Sequence, residues 1–161
     1  MDAPAPVPAF VPAFVPAFVP VDPQFAFRVR ESFGRQKAMG LIGASLTSVE
    51  PGYVEIALPW REDLTQQKGF VHGGILGMIA DTACGYSAFS LMPAGCSLVT
   101  VEYKINILTP ACGSLVAKGQ VVKPGRTLTI ARAEVYSEDG KHVATMQQTL
   151  MMLAGSPDTA E

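Results

Sequence analysis

From residue 22 onward the apolar and polar positions follow two different periods, and the switches between them outline the elements. Phe25, Val29 and Phe33 recur at i, i+4 and i+8, which predicts a helix capped by Asp22, with Pro23 at its first position. Gly40 and Gly43 are its expected end. Val54, Ile56 and Leu58 then alternate with Tyr53, Glu55 and Ala57, so a strand over about 53–59 follows one over about 44–50. Pro51-Gly52 suits the tight turn between them. A polar loop over about 60–71 leads into apolar and small residues from Gly73 to about Leu91, read as one long helix stopped by Pro93 and Gly95. Four further strands, about 97–108, 113–123, 127–137 and 142–153, read as a meander broken at Pro110, at Pro124-Gly125 and at Glu138-Asp139-Gly140-Lys141.

This order predicts an α+β fold in which an antiparallel sheet wraps around one helix. The long helix is apolar on nearly every side and should be buried all round. Gly77, Ala80, Ala83, Cys84, Gly85 and Ala88 keep it slim, so sheet residues can approach its backbone. Gly77 and Gly85 each cost about 1 kcal/mol of helix propensity against alanine, which close packing or close approach of a ligand would offset.

Residues 8–20 repeat Pro-Ala-Phe-Val three times and close with Pro20. Proline at every fourth position excludes helix and sheet interior, so residues 1–21 read as an extended low-complexity arm. The domain is expected over 22–154, with a polar tail at 155–161.

Composition narrows the function classes. The chain of 161 residues fits one domain, and 12 basic against 14 acidic residues give a net charge of −2. No Lys/Arg run marks a nucleic-acid face. Cys84, Cys96 and Cys112 are odd in number and form no C-x-x-C pair, so neither a disulfide framework nor a zinc site is expected, and a reducing cytoplasm is the simplest home. Asp2 stands where a signal peptide needs basic residues. The central apolar stretch contains Asp81, Thr82 and Ser87 and lacks basic flanks, which favours a buried core helix over a membrane span.

The chemistry centres on Asp81, the single charged residue between Lys68 and Glu102. A carboxylate within an apolar helix costs several kcal/mol unless it is hydrogen-bonded, paired or neutralised. Nine residues upstream, His72-Gly73-Gly74 marks the helix start, where unpaired N–H groups and the helix dipole suit an oxyanion. Asp81 lies about 12 Å further along the axis than Gly73. Acid and N–H donors can therefore meet only if a second subunit supplies one of them. An ordinary glycine-rich helix entry and a structural aspartate are the plainer alternatives. His72 has no second ligand for a metal and is more naturally a turn-fixing side chain. His142 is expected at the surface. No G-x-S-x-G elbow, P-loop or G-x-G-x-x-G fingerprint occurs.

Asp63-Leu-Thr-Gln-Gln-Lys-Gly-Phe-Val-His-Gly-Gly, then Ala80-Asp81, Val99-Thr-Val-Glu-Tyr-Lys-Ile-Asn and Thr109-Pro110, resemble the hotdog-fold acyl-CoA thioesterases of the PaaI-like group, over about residues 40–153. The resemblance implies a homodimer or homotetramer with shared sites that hydrolyses acyl-CoA without cofactor or metal. It assigns Asp81 as catalytic carboxylate and the partner's Gly73 N–H as carbonyl polariser. Gln66 would hold carbonyl or water, His72 would support the turn, and Thr100 would orient water. Gly74, Met78 and Tyr86, with Ile79, would contact the acyl end, an aromatic or medium-chain group. Lys104, Lys123, Gly125, Arg126 and Thr127 would meet the coenzyme A phosphates. Some related thioesterases have glutamate in place of Asp81 and threonine where this chain has Gly85, a difference that leaves base and nucleophile roles for Asp81 both open. A non-catalytic acyl-CoA binder and a hotdog hydratase or dehydratase are the competing classes.

Overall fold

The Phe25–Val29–Phe33 stripe forms a helix, but one that ends before the Gly40 and Gly43 stop expected for it. The computed structural model describes residues 18–159. Within them α1 spans Phe25–Arg35 and α2 spans Lys37–Ile42, separated at Gln36, whose backbone is extended. The break lets Met39 and Ile42 turn into the core, and Gly43 ends α2 at φ +75. Gln24, not Asp22, is the N-cap; the Asp22 carboxylate instead accepts from the Gln24 N–H and from Arg28.

The strands are β1 (Ser45–Glu50), β2 (Tyr53–Leu58), β3 (Ser97–Ile107), β4 (Leu115–Lys123), β5 (Leu128–Ser137) and β6 (His142–Leu153), and α3 spans Gly73–Phe89. All pair antiparallel in one sheet, in the order β1-β2-β4-β5-β6-β3. The expected meander is thus corrected. β3 does not lie beside β4 but crosses to the far edge and pairs with β6, because α3 carries the chain across the sheet between β2 and β3. Most of the repeat arm lies outside the described residues. Phe18, from its third unit, sets its ring over the β1–β2 turn, where a Cβ on Gly52 would come within 2.4 Å of it.

The sheet curls closely around α3 because its inner face is built from small residues. Ala117, Ala131, Ala133 and Ala144 are buried against the helix. Gly119 goes further: a Cβ there would lie 2.1 Å from the Ala83 carbonyl oxygen. The close approach expected from the helix glycines is thus made on this side by a glycine of the strand.

The helix glycines face β3. Gly73, Gly77, Asp81 and Gly85 stand four residues apart on one face of α3, and opposite them run Ile107, Tyr103, Thr100 and Leu98. A bulge makes this possible. Thr100 pairs with Leu150 and Glu102 with Thr149, leaving Val101 as an extra residue. Before it Leu98 and Thr100 point to the helix; after it Tyr103, Ile105 and Ile107 do.

Candidate active site

Asp81 finds its partners on two strands. Its Oδ1 accepts from Thr100 Oγ1 at 2.8 Å and from Gln148 Nε2 at 2.5 Å, and Gln148 Nε2 also lies 2.7 Å from Thr100 Oγ1. This triangle answers the question raised by a lone acid in an apolar helix: hydrogen bonds from neutral donors stabilise the carboxylate where it stands. Oδ2 has no protein donor among the described residues and points to open space.

Gln148 escaped the sequence reading. It occupies an inward position of β6, between Met146 and Leu150, and is 1% exposed. A glutamine in register with buried apolar residues was the available signal, because a buried amide needs partners.

A cavity of about 220 Å³ opens beside Asp81, lined by Thr82, Gly85, Tyr86, Phe89, Leu98 and Thr100 from α3 and β3, with α1 and the C-terminal tail beyond them. Tyr86 donates to or accepts from Ser32 at 2.9 Å, and burial pushes its phenol up to about 12. Met78 and Ile79 do not line this cavity; both pack with the core. Cys84 is fully buried, and burial followed by the Asp81 charge pushes its thiol up, which leaves it a poor nucleophile.

The His-Gly-Gly turn sits elsewhere. His72 Nδ1 accepts from the Gly74 N–H at 2.9 Å, so the side chain is the cap of α3. Gly74 is thereby committed to the turn, and the His72 carbonyl accepts from Ile75 and Leu76. The Gly73 N–H has no acceptor among the described residues. It opens on a second cavity of about 340 Å³, lined also by Gln66, Phe70, Leu76 and Ile107 to Ala111. Gln66 Oε1 accepts from the Lys68 N–H, leaving the amide N–H groups available. The two cavities share no lining residue. One chain thus carries the carboxylate and the N–H donor in separate places.

Lys104, Lys123, Gly125, Arg126 and Thr127 are exposed and line neither cavity. Gly125 has a local cause: a Cβ would stand 2.0 Å from the Leu128 carbonyl oxygen. The Thr127 carbonyl accepts from the Met152 N–H. His142, expected as plain surface, bonds Glu134 at 2.6 Å and stacks on Tyr136. Among the described residues no three His, Cys, Asp or Glu side chains gather as a metal cluster, and no helix is long and apolar enough to cross a membrane.

Comparison with known proteins places the chain in a family. The thioesterase-superfamily pattern matches residues 68–144, which hold the His-Gly-Gly turn, Asp81 and Thr100. A candidate esterase of Halobacterium salinarum is 31% identical over 102 residues, covering 60% of this chain and 68% of that protein. The chain belongs to the thioesterase superfamily. A solved thioesterase family protein from Silicibacter pomeroyi is 47% identical with a TM-score of 0.79, covering 81% of this chain and 99% of that one. The PaaI protein of the E. coli phenylacetic acid degradation operon superposes with a TM-score of 0.77 over 83% of this chain and 96% of its own. At 20% identity, that likeness establishes the hotdog fold. Gln66 and Gln148 lie outside the stretch matched to the superfamily, so this member's carboxylate is held in part by a residue the shared pattern does not cover.

Proposed function

We propose that this thioesterase-superfamily member hydrolyses acyl-CoA thioesters, with an aromatic or medium-chain acyl group, to the free acid and coenzyme A. The observation that carries the reading is the Asp81 carboxylate, held by Thr100 and Gln148 through one oxygen, in a cavity where Tyr86, Phe89 and Leu98 offer apolar surface among polar Ser32, Gln36 and Thr82. Asp81 acts either as general base for water, which adds to the thioester carbon and expels the thiolate, or as nucleophile, forming an anhydride that water then opens. Both routes add one water and release one thiol.

The oxyanion donor is the Gly73 N–H of a second subunit, assisted by Gln66. The separation of the two cavities supports a shared site. So does β3, an edge strand on which Val101, Tyr103 and Ile107 are each about half exposed, as is Leu108 just after it. We assign the chain to a homodimer or homotetramer in the cytoplasm. Coenzyme A phosphates would meet Lys104, Lys123 and Arg126 on the exposed rim, with Gly125 and Thr127 shaping the turn that presents them. His72 supports the donor turn rather than serving as a base, since its Nδ1 already caps α3. That occupancy disfavours a hydratase reading, which needs a free histidine.

The test is thiol release from a panel of acyl-CoAs by the wild type, Asp81→Asn and Asp81→Ala proteins. Folded variants should lose about a thousandfold or more of kcat. Wild-type turnover by both would overturn the proposal.

A further inference from the structure

The cavity beside Asp81 has one wall of a different kind. Along α3, Asp81, Gly85 and Phe89 follow one another at four-residue spacing, so the cavity runs about 12 Å from the carboxylate toward the helix C-terminus. Beyond them the lining passes to Ser32 of α1, to Gln36 just after it, and to Asp158, the one residue of the tail that lines the cavity among the described residues.

The α1 part of that wall is fixed. Val29 is fully buried, Ser32 bonds the Tyr86 hydroxyl, and Phe33 packs edge-on against the Tyr86 ring. Arg28 stacks over the Phe89 ring and bonds the Met92 carbonyl at 2.5 Å. The tail is held differently. After β6 the chain turns at Gly155, with φ +70, and returns to α1, where Arg35 Nη2 donates to the Asp158 carbonyl at 2.5 Å and to its carboxylate at 3.0 Å. The side chains of this pair are 48% and 39% exposed. An ion pair that open to water is weak. The α1 side of that wall is therefore packed in place, whereas Asp158 is held, among the described residues, by hydrogen bonds from the half-exposed Arg35.

We propose that the Arg35–Asp158 contact is a latch across the far end of the cavity, and that it sets the longest acyl group the site accepts. The inference rests on the reading of this cavity as the acyl site. Short acyl groups end before the tail; longer ones must displace Asp158, and release of the latch removes that cost. Arg35 does not line the cavity, so its replacement changes the tether without changing the walls.

The experiment compares the full-length wild type with Arg35→Ala and Arg35→Glu, on a saturated series from butyryl- to palmitoyl-CoA. Thiol release is measured, and affinities of the matching thioether analogues, which cannot be hydrolysed, are measured by calorimetry. Both single variants should raise the long-to-short ratio of kcat/KM by about fivefold, the size an exposed ion pair can supply. The change should fall mainly in KM for the long chains, with the shortest substrate unaffected, since Arg35 does not line the cavity. An unchanged length profile in both single variants overturns the latch. If no protein releases thiol but thioether affinity for long chains rises in the Arg35 variants, the latch stands and the hydrolase reading fails. If no analogue binds, both fail.

Discussion

Gln148 Nε2 donates to the same Asp81 oxygen that accepts from Thr100, at 2.5 Å against 2.8 Å, so two strands converge on one side of the carboxylate. The other oxygen is left to face the cavity, and the plane of the group is set by β6 and β3 together. Gln148→Ala should therefore lower kcat by about 10- to 100-fold, the worth of one hydrogen bond to a charged group. KM for a short acyl-CoA should change little, because Gln148 does not line the cavity. A loss confined to KM would contradict this role.

Thr100 offers a separate check on the same geometry. Thr100→Ser keeps the hydroxyl and should retain most activity, whereas Thr100→Val keeps the shape and removes the donor. About a tenfold or greater fall in kcat is expected for valine. Equal rates for serine and valine would show that the hydroxyl does not matter to turnover.

Two glycines predict opposite outcomes for the same added methyl. At Gly119 a Cβ would stand 2.1 Å from the Ala83 carbonyl oxygen, so strand and helix must part. Gly119→Ala should destabilise by about 3 kcal/mol or more, read as a fall in thermal midpoint. At Gly85 the nearest neighbour of a Cβ is Leu98 Cδ1 at 3.9 Å, an ordinary contact. Gly85→Ala should leave the fold intact or gain up to about 1 kcal/mol of helix propensity while narrowing the cavity. Its KM for bulky acyl groups should rise.

The alkaline limb of stability should report Tyr86. Burial holds its phenol up at about 12 against 10.0 for the free group, so the folded state keeps a proton that the unfolded chain gives up. The stabilisation is complete below pH 10 and is lost as pH rises toward 12. Tyr86→Phe should weaken the fall measured by denaturant unfolding across that range. Some fall remains, because burial and then the Glu55 hydrogen bond raise Tyr53 in the same direction. Identical alkaline limbs would remove Tyr86 as the cause.

How far the sequence could be read depended on the range of each interaction. α3, the hairpin turns and the separation of Asp81 from Gly73 follow from local period and helix rise, and the residues bore them out. The place of β3 did not, since pairing with β6 joins segments about fifty residues apart and leaves no local trace. The split at Gln36 was hidden because the stripe from Phe25 to Phe33 ends just before it. Gln148 was visible only as a polar residue in a buried register. The tail read as polar and therefore outside the domain, whereas Asp158 returns to Arg35 through a turn that Gly155 alone announces.

The bulge at Val101 has a consequence for which changes the chain can tolerate. Were the whole of Ser97–Ile107 to alternate regularly, with Val101 kept, β3 would hold one parity throughout. If Thr100 still faced Asp81, then Glu102, Lys104 and Asn106 would be turned beneath α3, and Tyr103, Ile105 and Ile107 would be turned away from it. If the apolar set were kept, Thr100 would leave the carboxylate. The extra residue settles that choice by placing Thr100 and Tyr103 three apart on one face; deleting Val101 leaves them two apart in regular alternation, so it closes the bulge and turns neither set away from α3. In this edge strand, counting matters more than chemistry.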